Sequence, residues 1–149
     1  MFRGQFTHAL DDKGRTSLPA KFRDQLLGQS DPRVVVTPSP FDPCLHLYPI
    51  SAWEEYERKI SDLPSHDPRI EKFRRLYVSP ALECELDRNG RIRISPDFRQ
   101  RAGLEKEVLF AGMGKIVELW ATQAWQAETS MSKDELEALR EDIKELVKV

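Results

Sequence analysis

The sequence predicts an α+β fold made of two tandem halves that share one core. The first observation is an internal repeat: "ALDDKGRTSLPAKFR" (9–23) returns as "ELDRNGRIRISPDFR" (85–99), at an offset of 76 residues, 87 − 11. Six identities fall in this ungapped window, whereas about one is expected from average residue usage. The second observation is that each copy has the same order of short strand patterns and a helix opened by proline.

The repeat extends beyond this window and suggests where the segments of the chain begin and end. "CLHLYPISAW" (44–53) matches "IVELWATQAW" (116–125) at an offset of 72 residues, 125 − 53. We therefore expect a first unit at 5–52, a helical connector at 53–80, a second unit at 81–124 and a C-terminal helical extension at 125–149. Neither unit is long enough to bury a core alone, so we expect the two to fold together.

Each unit contains four strand patterns. A partly alternating segment leads into a turn, a second short segment follows it, and an apolar pair closes the unit. In the first unit these segments are "QFTHALD", "RTSL", "RVVVT" and "CLHLY". In the second unit they are "ALECELD", "RIRI", "EVLFA" and "KIVELW".

Helices are predicted after the second strand of each unit, in the connector and at the C-terminus. Pro19 suits a helix start, and Ser95 is a natural N-cap before the next proline. Ser51 and Ser132 each precede a glutamate by three residues, the spacing of a capping box, and "RIEKFRRLYV" predicts a second connector helix. The last helix carries an apolar stripe at helical spacing, formed by Leu136, Leu139, Ile143 and Leu146.

Composition excludes several classes of protein. The 149 residues are 40% apolar and 32% charged, and no apolar run approaches the ~20 residues of a spanning helix. The N-terminal segment lacks the apolar stretch of a signal peptide, so we expect a cytoplasmic protein without a membrane partner. Cys44 and Cys84 are too few for a disulfide scaffold, and the three histidines and two cysteines lack metal-ligand spacing. No metal site and no cofactor are therefore predicted.

Charge is distributed unevenly along the chain. The net charge is only −2, which by itself gives no indication of nucleic acid. Basic residues nevertheless concentrate in the two repeated segments, while acidic residues dominate the last twenty positions. A basic face and an acidic tail on one chain make the average charge a poor guide to its partners.

The repeated turn holds an aspartate and an arginine on either side of three residues. Gly14 and Gly90 end these turns, where the left-handed backbone region is commonly required. Asp11 with Arg15, and Asp87 with Arg91, are then within pairing distance. For a single copy, a salt bridge that only fixes the hairpin explains the motif well.

A functional interpretation is favoured because the motif occurs twice. A guanidinium that is oriented by a carboxylate can offer its remaining donors to a phosphate or to a guanine base edge. We therefore predict that Arg15 and Arg91 contact DNA, that Lys13 and Arg88 at the tips contact phosphates, and that the aspartates and glycines shape the turns. A two-stranded ribbon is narrow enough to enter the major groove.

These residues resemble the MraZ family over essentially the whole chain. The similarity covers "MFRG", "LDDKGR..LPAKFR", "PCLHLYP...W" and "LDRNGRIRISP.FR". The family's D-x-x-x-R motif falls on Asp11–Arg15 and on Asp87–Arg91. In one respect the halves differ: Leu18-Pro19 in the first becomes Ile94-Ser95-Pro96 in the second, so the second helix is expected to begin one residue later.

The resemblance implies a fold and a function that the residues alone do not specify. It implies two swapped-hairpin units of the AbrB type that form a small pseudo-two-fold β-barrel core. It also implies a sequence-specific transcriptional regulator, usually a repressor, that binds short direct repeats in the promoter of the division and cell-wall gene cluster. Its partners would be double-stranded promoter DNA and further copies of itself in a ring, at the nucleoid.

Two other classes of function compete with DNA binding. An enzyme is disfavoured because His8 and His46 have no matching nucleophile, and "GMGK" (112–115) lacks the spacing of a phosphate-binding loop. A structural or protein-binding oligomer that uses the C-terminal amphipathic helix is the remaining alternative.

Overall fold

The structure, a computed structural model, describes residues 1–148. The strands are β1 (Gln5–Ala9), β2 (Arg15–Ser17), β3 (Val34–Pro38), β4 (Cys44–Pro49), β5 (Leu82–Cys84), β6 (Arg91–Arg93), β7 (Glu107–Gly112) and β8 (Val117–Ala121). The helices are α1 (Ala20–Leu27), α2 (Ile50–Ser61), α3 (Pro68–Phe73), α4 (Pro96–Arg101), α5 (Thr122–Thr129) and α6 (Lys133–Val147), and a π-helical turn (Arg74–Val78) follows α3. The predicted α+β class is confirmed.

The strands form one six-stranded sheet and one two-stranded ribbon. The sheet has the order β1-β7-β8-β4-β3-β5, the ribbon pairs β2 with β6, and every pairing is antiparallel. β1 from the first half adds to the β7–β8 hairpin of the second, and β5 from the second adds to the β3–β4 hairpin of the first. Exchange of the two halves reproduces the same strand order, so the fold has a pseudo-two-fold axis.

The register shows where this axis passes. At the centre of the sheet His46 is directly opposite Glu118, and these two positions are equivalent in the repeat at the offset of 72. In the ribbon Thr16 is opposite Ile92, and these two positions are equivalent in the repeat at the offset of 76. The axis therefore crosses both the sheet and the ribbon at pairs of repeat-related residues.

The expected closed barrel is not formed by the strands in residues 1–148. β1 and β5 remain edges of the sheet, and β2 and β6 pair only with each other. The physical reason lies in the turns, because each turn directs the chain out of the sheet and into the ribbon. The two strands that flank a turn therefore belong to different layers, and β1 and β2 do not form the local hairpin that the sequence suggested.

The main core lies on the face of the sheet towards the ribbon, α1 and α4. Phe22 on α1 and Phe98 on α4 are repeat-related and both are buried there, together with Phe110 of β7. Phe22 makes edge-to-face contacts with Phe2 and Phe6 at ring-centroid distances of 5.4 and 5.2 Å. Burial of each aromatic side chain contributes about 1.5–3 kcal/mol, so the repeated phenylalanine anchors each helix to the shared sheet.

An aromatic cluster covers the other face of the sheet. The ring centroids of Tyr48 (β4) and Trp53 (α2) are 5.0 Å apart, and Tyr77 of the π-helical turn is buried beside them. The second half has the equivalent contact, in which the ring centroids of Trp120 (β8) and Trp125 (α5) are 5.7 Å apart. The connector helices are thus packed on the sheet rather than held apart from it.

The predicted helix starts have mixed outcomes. Ser95 accepts a hydrogen bond from the Phe98 N–H, and Ser132 forms a full capping box with Glu135, so both predictions are confirmed. The capping box at Ser51 is wrong, because α2 already begins at Ile50, directly after β4. Ser51 therefore lies inside the helix, where its hydroxyl donates to Gln29 Oε1 at 3.2 Å.

The second repeat helix does not start one residue late. α1 begins at Ala20 and α4 at Pro96, which are equivalent at the offset of 76. Pro19 and Ser95 occupy the same N-cap position, so the serine replaces a proline without shifting the helix. The extension predicted for 125–149 begins inside α5, which starts at Thr122, and it contains α6. Its last residue, Val149, lies outside the described residues.

In residues 1–148, every helix is too short or too polar to cross a membrane.

Candidate nucleic-acid interface

The first Asp–Arg turn is closed by backbone and side-chain hydrogen bonds. The Asp11 N–H donates to the Arg15 carbonyl at 2.9 Å, and the Gly14 N–H donates to the Asp11 carbonyl at 3.0 Å. Asp11 Oδ1 accepts from the N–H groups of Lys13 and Arg15 at 2.9 and 2.8 Å. Asp11 Oδ2 accepts from Arg15 Nε at 2.8 Å. One carboxylate therefore fixes both the shape of the turn and the direction of the arginine.

The second turn repeats this geometry atom by atom. Asp87 Oδ1 accepts from the N–H groups of Asn89 and Arg91 at 2.8 and 3.0 Å. Asp87 Oδ2 accepts from Arg91 Nε at 2.9 Å. Because the two turns have in common only a leucine, the glycine and the Asp–Arg motif, these shared residues account for the common geometry.

These contacts hold both aspartates in the charged form. The backbone N–H of Arg15, aided by its side chain and by the Lys13 N–H, lowers the pKa of Asp11 to about 2. The backbone N–H of Arg91 and the Asn89 N–H similarly lower the pKa of Asp87. Hydrogen bonds to a carboxylate favour its ionised form, so the two arginines have a permanent anionic partner at neutral pH.

Each arginine keeps its outer donors available. Arg15 and Arg91 use Nε for the aspartate, and within residues 1–148 their Nη atoms make no hydrogen bond. The side chains are 37% and 31% exposed, respectively. A guanidinium held by Nε presents its remaining N–H groups in a fixed plane, which suits bidentate recognition of a phosphate or a guanine edge.

The glycines allow the two halves to approach each other at the turns. Gly14 and Gly90 have φ values of +83° and +73°, a region that other residues adopt at a cost. The Ile94 N–H donates to the Gly14 carbonyl at 2.7 Å, and the Leu18 N–H donates to the Gly90 carbonyl at 3.0 Å. A Cβ on Gly14 would collide with the Ile94 carbonyl oxygen. Each turn is therefore braced by the opposite half.

The structure adds arginines that the predicted site did not include. Arg99 of α4 lies against Gly14, and its repeat equivalent Arg23 of α1 lies against Gly90. Arg93 Nε donates to the Lys13 carbonyl at 3.3 Å. The sequence showed these residues as part of the basic concentration, but only the pairing of β2 with β6 places each one at the turn of the other half.

The predicted site residues come together on the ribbon. Arg15 is opposite Arg93, and Arg91 is opposite Ser17, so the two motif arginines occupy diagonal positions. Lys13 and Arg88 are exposed on the two turns. The eight predicted residues thus form two turns, each with two cationic side chains and a motif aspartate, at the two ends of one short ribbon.

A second group of polar side chains was missed by the sequence reasoning. Cys44 and His46 of β4 and Glu118 of β8 place their ligand atoms within 4.8 Å of one another. The cysteine and histidine are only two residues apart, but the carboxylate is 72 residues further along the chain, so no compact ligand motif is visible. The alternation of β4, which puts both side chains on one face, was the available signal.

Comparison with known proteins identifies the family. The family model described as "MraZ protein, putative antitoxin-like" matches residues 1–76 and 78–145. The chain belongs to the MraZ family. The match spans both halves, so both Asp–Arg turns lie within the matched residues.

Members of the MraZ family with similar sequences come from diverse bacteria. "Transcriptional regulator MraZ" of Nitrosococcus oceani is 42% identical over 146 residues, which cover 98% of this chain and 97% of that protein. The proteins of the same name from Thermomicrobium roseum and Escherichia fergusonii are 41% and 40% identical, covering 88% and 97% of this chain and 89% and 95% of their own lengths. The chain is thus similar to these relatives over nearly their full length.

Proposed function

We propose that this protein is a transcriptional regulator that binds double-stranded DNA sequence-specifically through the two Asp–Arg turns. The observation that carries the proposal is the pair of arginines, Arg15 and Arg91, each held through Nε by an ionised aspartate with its Nη groups available. The relatives' printed name, "Transcriptional regulator MraZ", supports the same function.

The roles of the site residues follow from their positions. Arg15 and Arg91 read base edges, because their guanidinium planes are fixed and bidentate recognition needs a fixed plane. Lys13 and Arg88 contact phosphates, since exposed side chains at the outer edge of the turns position the ribbon without reading sequence. Asp11 and Asp87 do not touch DNA, because a carboxylate beside phosphates is repelled unless a cation neutralises it.

We further propose the arrangement that the family resemblance implies. The segments 5–52 and 81–124 are AbrB-like swapped-hairpin units, joined by the 53–80 connector and followed by the 125–149 extension. Copies of the chain form a ring, which binds short direct repeats in the promoter of the division and cell-wall cluster and represses it. A regulator of this kind works in the cytoplasm at the nucleoid, and it is not an enzyme.

A binding assay with two DNA duplexes tests this function. Fluorescence anisotropy at moderate salt would compare a labelled fragment of the cluster's promoter with a shuffled duplex of the same length and composition. We expect the promoter to bind at least tenfold more tightly, and we expect this preference to be lost in the Arg15→Ala, Arg91→Ala double variant. Equal affinity for both duplexes in the unmodified protein would contradict sequence-specific recognition.

A structural or protein-binding oligomer is the alternative, and one observation favours it. Leu136, Leu139, Ile143 and Leu146 of α6 are all exposed. A helix with an exposed apolar stripe is suited to packing against another helix. The same assay separates the two functions, because a purely structural oligomer has no preference between promoter and shuffled DNA.

A further inference from the structure

The centre of the sheet contains a compact group of three potential metal ligands. Cys44 Sγ, His46 and a Glu118 carboxylate oxygen lie within 4.8 Å of one another. They sit on the pair β4–β8, where the pseudo-two-fold axis crosses the sheet. Two of the ligands belong to the first half of the chain and the third belongs to the second half.

The spacing of these atoms fits a small divalent cation. His46 Nε2 and Glu118 Oε2 are 3.4 Å apart. Tetrahedral zinc, with bonds of ~2.0–2.3 Å to nitrogen, oxygen and sulfur, holds neighbouring ligand atoms roughly 3.3–3.8 Å apart. Side-chain rotations that move the donor atoms by about an ångström would therefore bring the three donors to bonding distance around one ion.

The histidine presents an unused nitrogen to this space. His46 Nε2 is buried and has no hydrogen-bond partner within residues 1–148. Its distance of 3.4 Å from Glu118 Oε2 is long, and the contact does not meet hydrogen-bond geometry. A buried polar atom without a hydrogen bond is costly, and a metal ion would satisfy it.

Neighbouring groups orient the proposed ligands in the way that metal sites require. His46 Nδ1 is 2.6 Å from the Tyr77 hydroxyl, which in turn contacts the Tyr48 hydroxyl. Glu118 Oε1 accepts from Trp120 Nε1 at 3.1 Å, which leaves Oε2 facing the histidine. Outer groups that hold the second nitrogen of a histidine and the second oxygen of a carboxylate are a regular feature of metal sites.

The site lies close to the protein surface on the side of His46 and Glu118. Cys44 is only 1% exposed, but the side chains of His46 and Glu118 are 16% and 14% exposed. A cation can therefore enter past the histidine and carboxylate and meet the thiol at the inner end of the site.

We propose that Cys44, His46 and Glu118 together bind one Zn²⁺ ion. On binding, the Cys44 thiol releases its proton to solvent and coordinates as thiolate, neutral His46 coordinates through Nε2, and Glu118 through Oε2. A water molecule completes the tetrahedron. One thiolate, one imidazole and one carboxylate form a ligand set that suits zinc better than magnesium or calcium.

Such a site would stabilise the junction of the two halves. β4–β8 is the central strand pair of the sheet, and the metal would add a crosslink between its two strands. Because zinc would bind the folded chain and lose its site on unfolding, its binding stabilises the fold by mass action.

The binding experiment uses the full-length protein, stripped of metal and kept reduced without a chelating reductant. Zinc affinity would be measured by competition with a chromophoric chelator, and Co²⁺ would serve as a spectroscopic probe of thiolate coordination. We expect one ion per chain and a cobalt–thiolate charge-transfer band. Cys44→Ser, His46→Gln and Glu118→Gln should each weaken zinc binding at least tenfold, and the cobalt–thiolate band should be absent from Cys44→Ser.

Matched variants distinguish this site from adventitious binding. Cys84→Ser and His8→Gln remove the same residue types elsewhere and should leave the affinity unchanged. Tyr77→Phe retains all three ligands but frees His46 Nδ1, and we expect an affinity 10- to 100-fold lower. Zinc should raise the Tm of the unmodified protein but not that of Cys44→Ser.

Two results would overturn the proposal. One is a failure of the unmodified, folded protein to bind zinc at stoichiometric micromolar concentrations. The other is equal zinc affinity in the folded unmodified protein and in the folded Cys44→Ser and His46→Gln variants, with circular dichroism used to establish that all are folded. Either result would leave His46 and Glu118 as an ordinary polar contact beside a buried thiol.

Discussion

Arg15 and Arg91 occupy diagonal positions on the two-stranded ribbon, since Arg15 is opposite Arg93 and Arg91 is opposite Ser17. Diagonal neighbours on an antiparallel pair are roughly 7–8 Å apart. On the proposed function, two arginine side chains that start from backbone positions this close reach neighbouring positions in one groove. On that proposal, the ribbon is one reading element with a motif arginine at each end.

Loss of one motif arginine should weaken recognition without unfolding the protein. For Arg15→Ala we expect the free energy of binding to the promoter duplex to become less favourable by about 1–3 kcal/mol, the contribution of one bidentate base contact. Fluorescence anisotropy with promoter and shuffled duplexes measures the change. Arg140→Ala is the matched control, because Arg140 is exposed on α6 and, in residues 1–148, pairs with Glu137. If Arg15→Ala lowered the Tm but left the affinity of the folded fraction intact, Arg15 would be only a structural salt-bridge partner.

Loss of the neighbouring lysine should act on all DNA sequences equally. Lys13 is exposed on the first turn, and a phosphate contact carries no sequence information. For Lys13→Ala we expect weaker binding to promoter and shuffled duplexes alike. The slope of log affinity against log salt concentration should decrease in magnitude by about one. A change confined to the promoter duplex would instead assign Lys13 to base reading.

The Asp11 carboxylate should make the stability of the protein depend on pH in a defined window. Its pKa falls from an ordinary value of 3.8 to about 2 in the fold. A lowered folded pKa contributes stability above the ordinary value, and this contribution is lost as pH falls through the folded value. Between pH 5 and pH 2, the Tm advantage of the unmodified protein over Asp11→Asn should shrink and disappear. The Asp12→Asn control should retain the full pH dependence of the unmodified protein, and a constant Tm difference would contradict the assignment.

The first turn should not tolerate a side chain at its glycine. Gly14 has φ of +83°, and a Cβ there would collide with the Ile94 backbone. We expect Gly14→Ala to cost about 1–3 kcal/mol in the free energy of unfolding, measured by urea denaturation. Gly28→Ala is the control, because Gly28 has φ of −76° and its Cβ would meet nothing closer than 3.5 Å. Equal stability of the two variants would show that the turn relaxes.

Ring assembly should make DNA binding sensitive to the spacing of the repeated boxes. One ribbon makes few base contacts, whereas several linked ribbons gain ~10²–10⁴ in avidity. Neighbouring subunits must meet the same face of the duplex, so we expect boxes about one helical turn, ~10 bp, apart. Insertion of about five base pairs between boxes should reduce affinity towards the single-box value, and about five more should partly restore it. Unchanged affinity for the half-turn insert would indicate independent monomers or dimers.

Much of the local structure could be predicted because the signals are short in sequence. Ser95 and Ser132 act on groups within a few residues of themselves, so their roles can be inferred from the residues nearby. The positive φ of the turn glycines could be inferred in the same way, but their contacts with the opposite half could not. Ser51 shows the limit of this reasoning. Its spacing to Glu54 fits a capping box, but α2 continues directly from β4 and begins before the serine.

The partners of each strand depended on contacts between distant residues. The sequence indicated the α+β class, the two halves and the Asp–Arg turns, because these follow from periodicity, glycine conformation and an internal repeat. Only the tertiary structure placed β2 beside β6 and β1 beside β7, since backbone hydrogen bonds between strands are not specified by either strand alone. The same antiparallel register set His46 opposite Glu118, two residues 72 positions apart that have no local reason to meet.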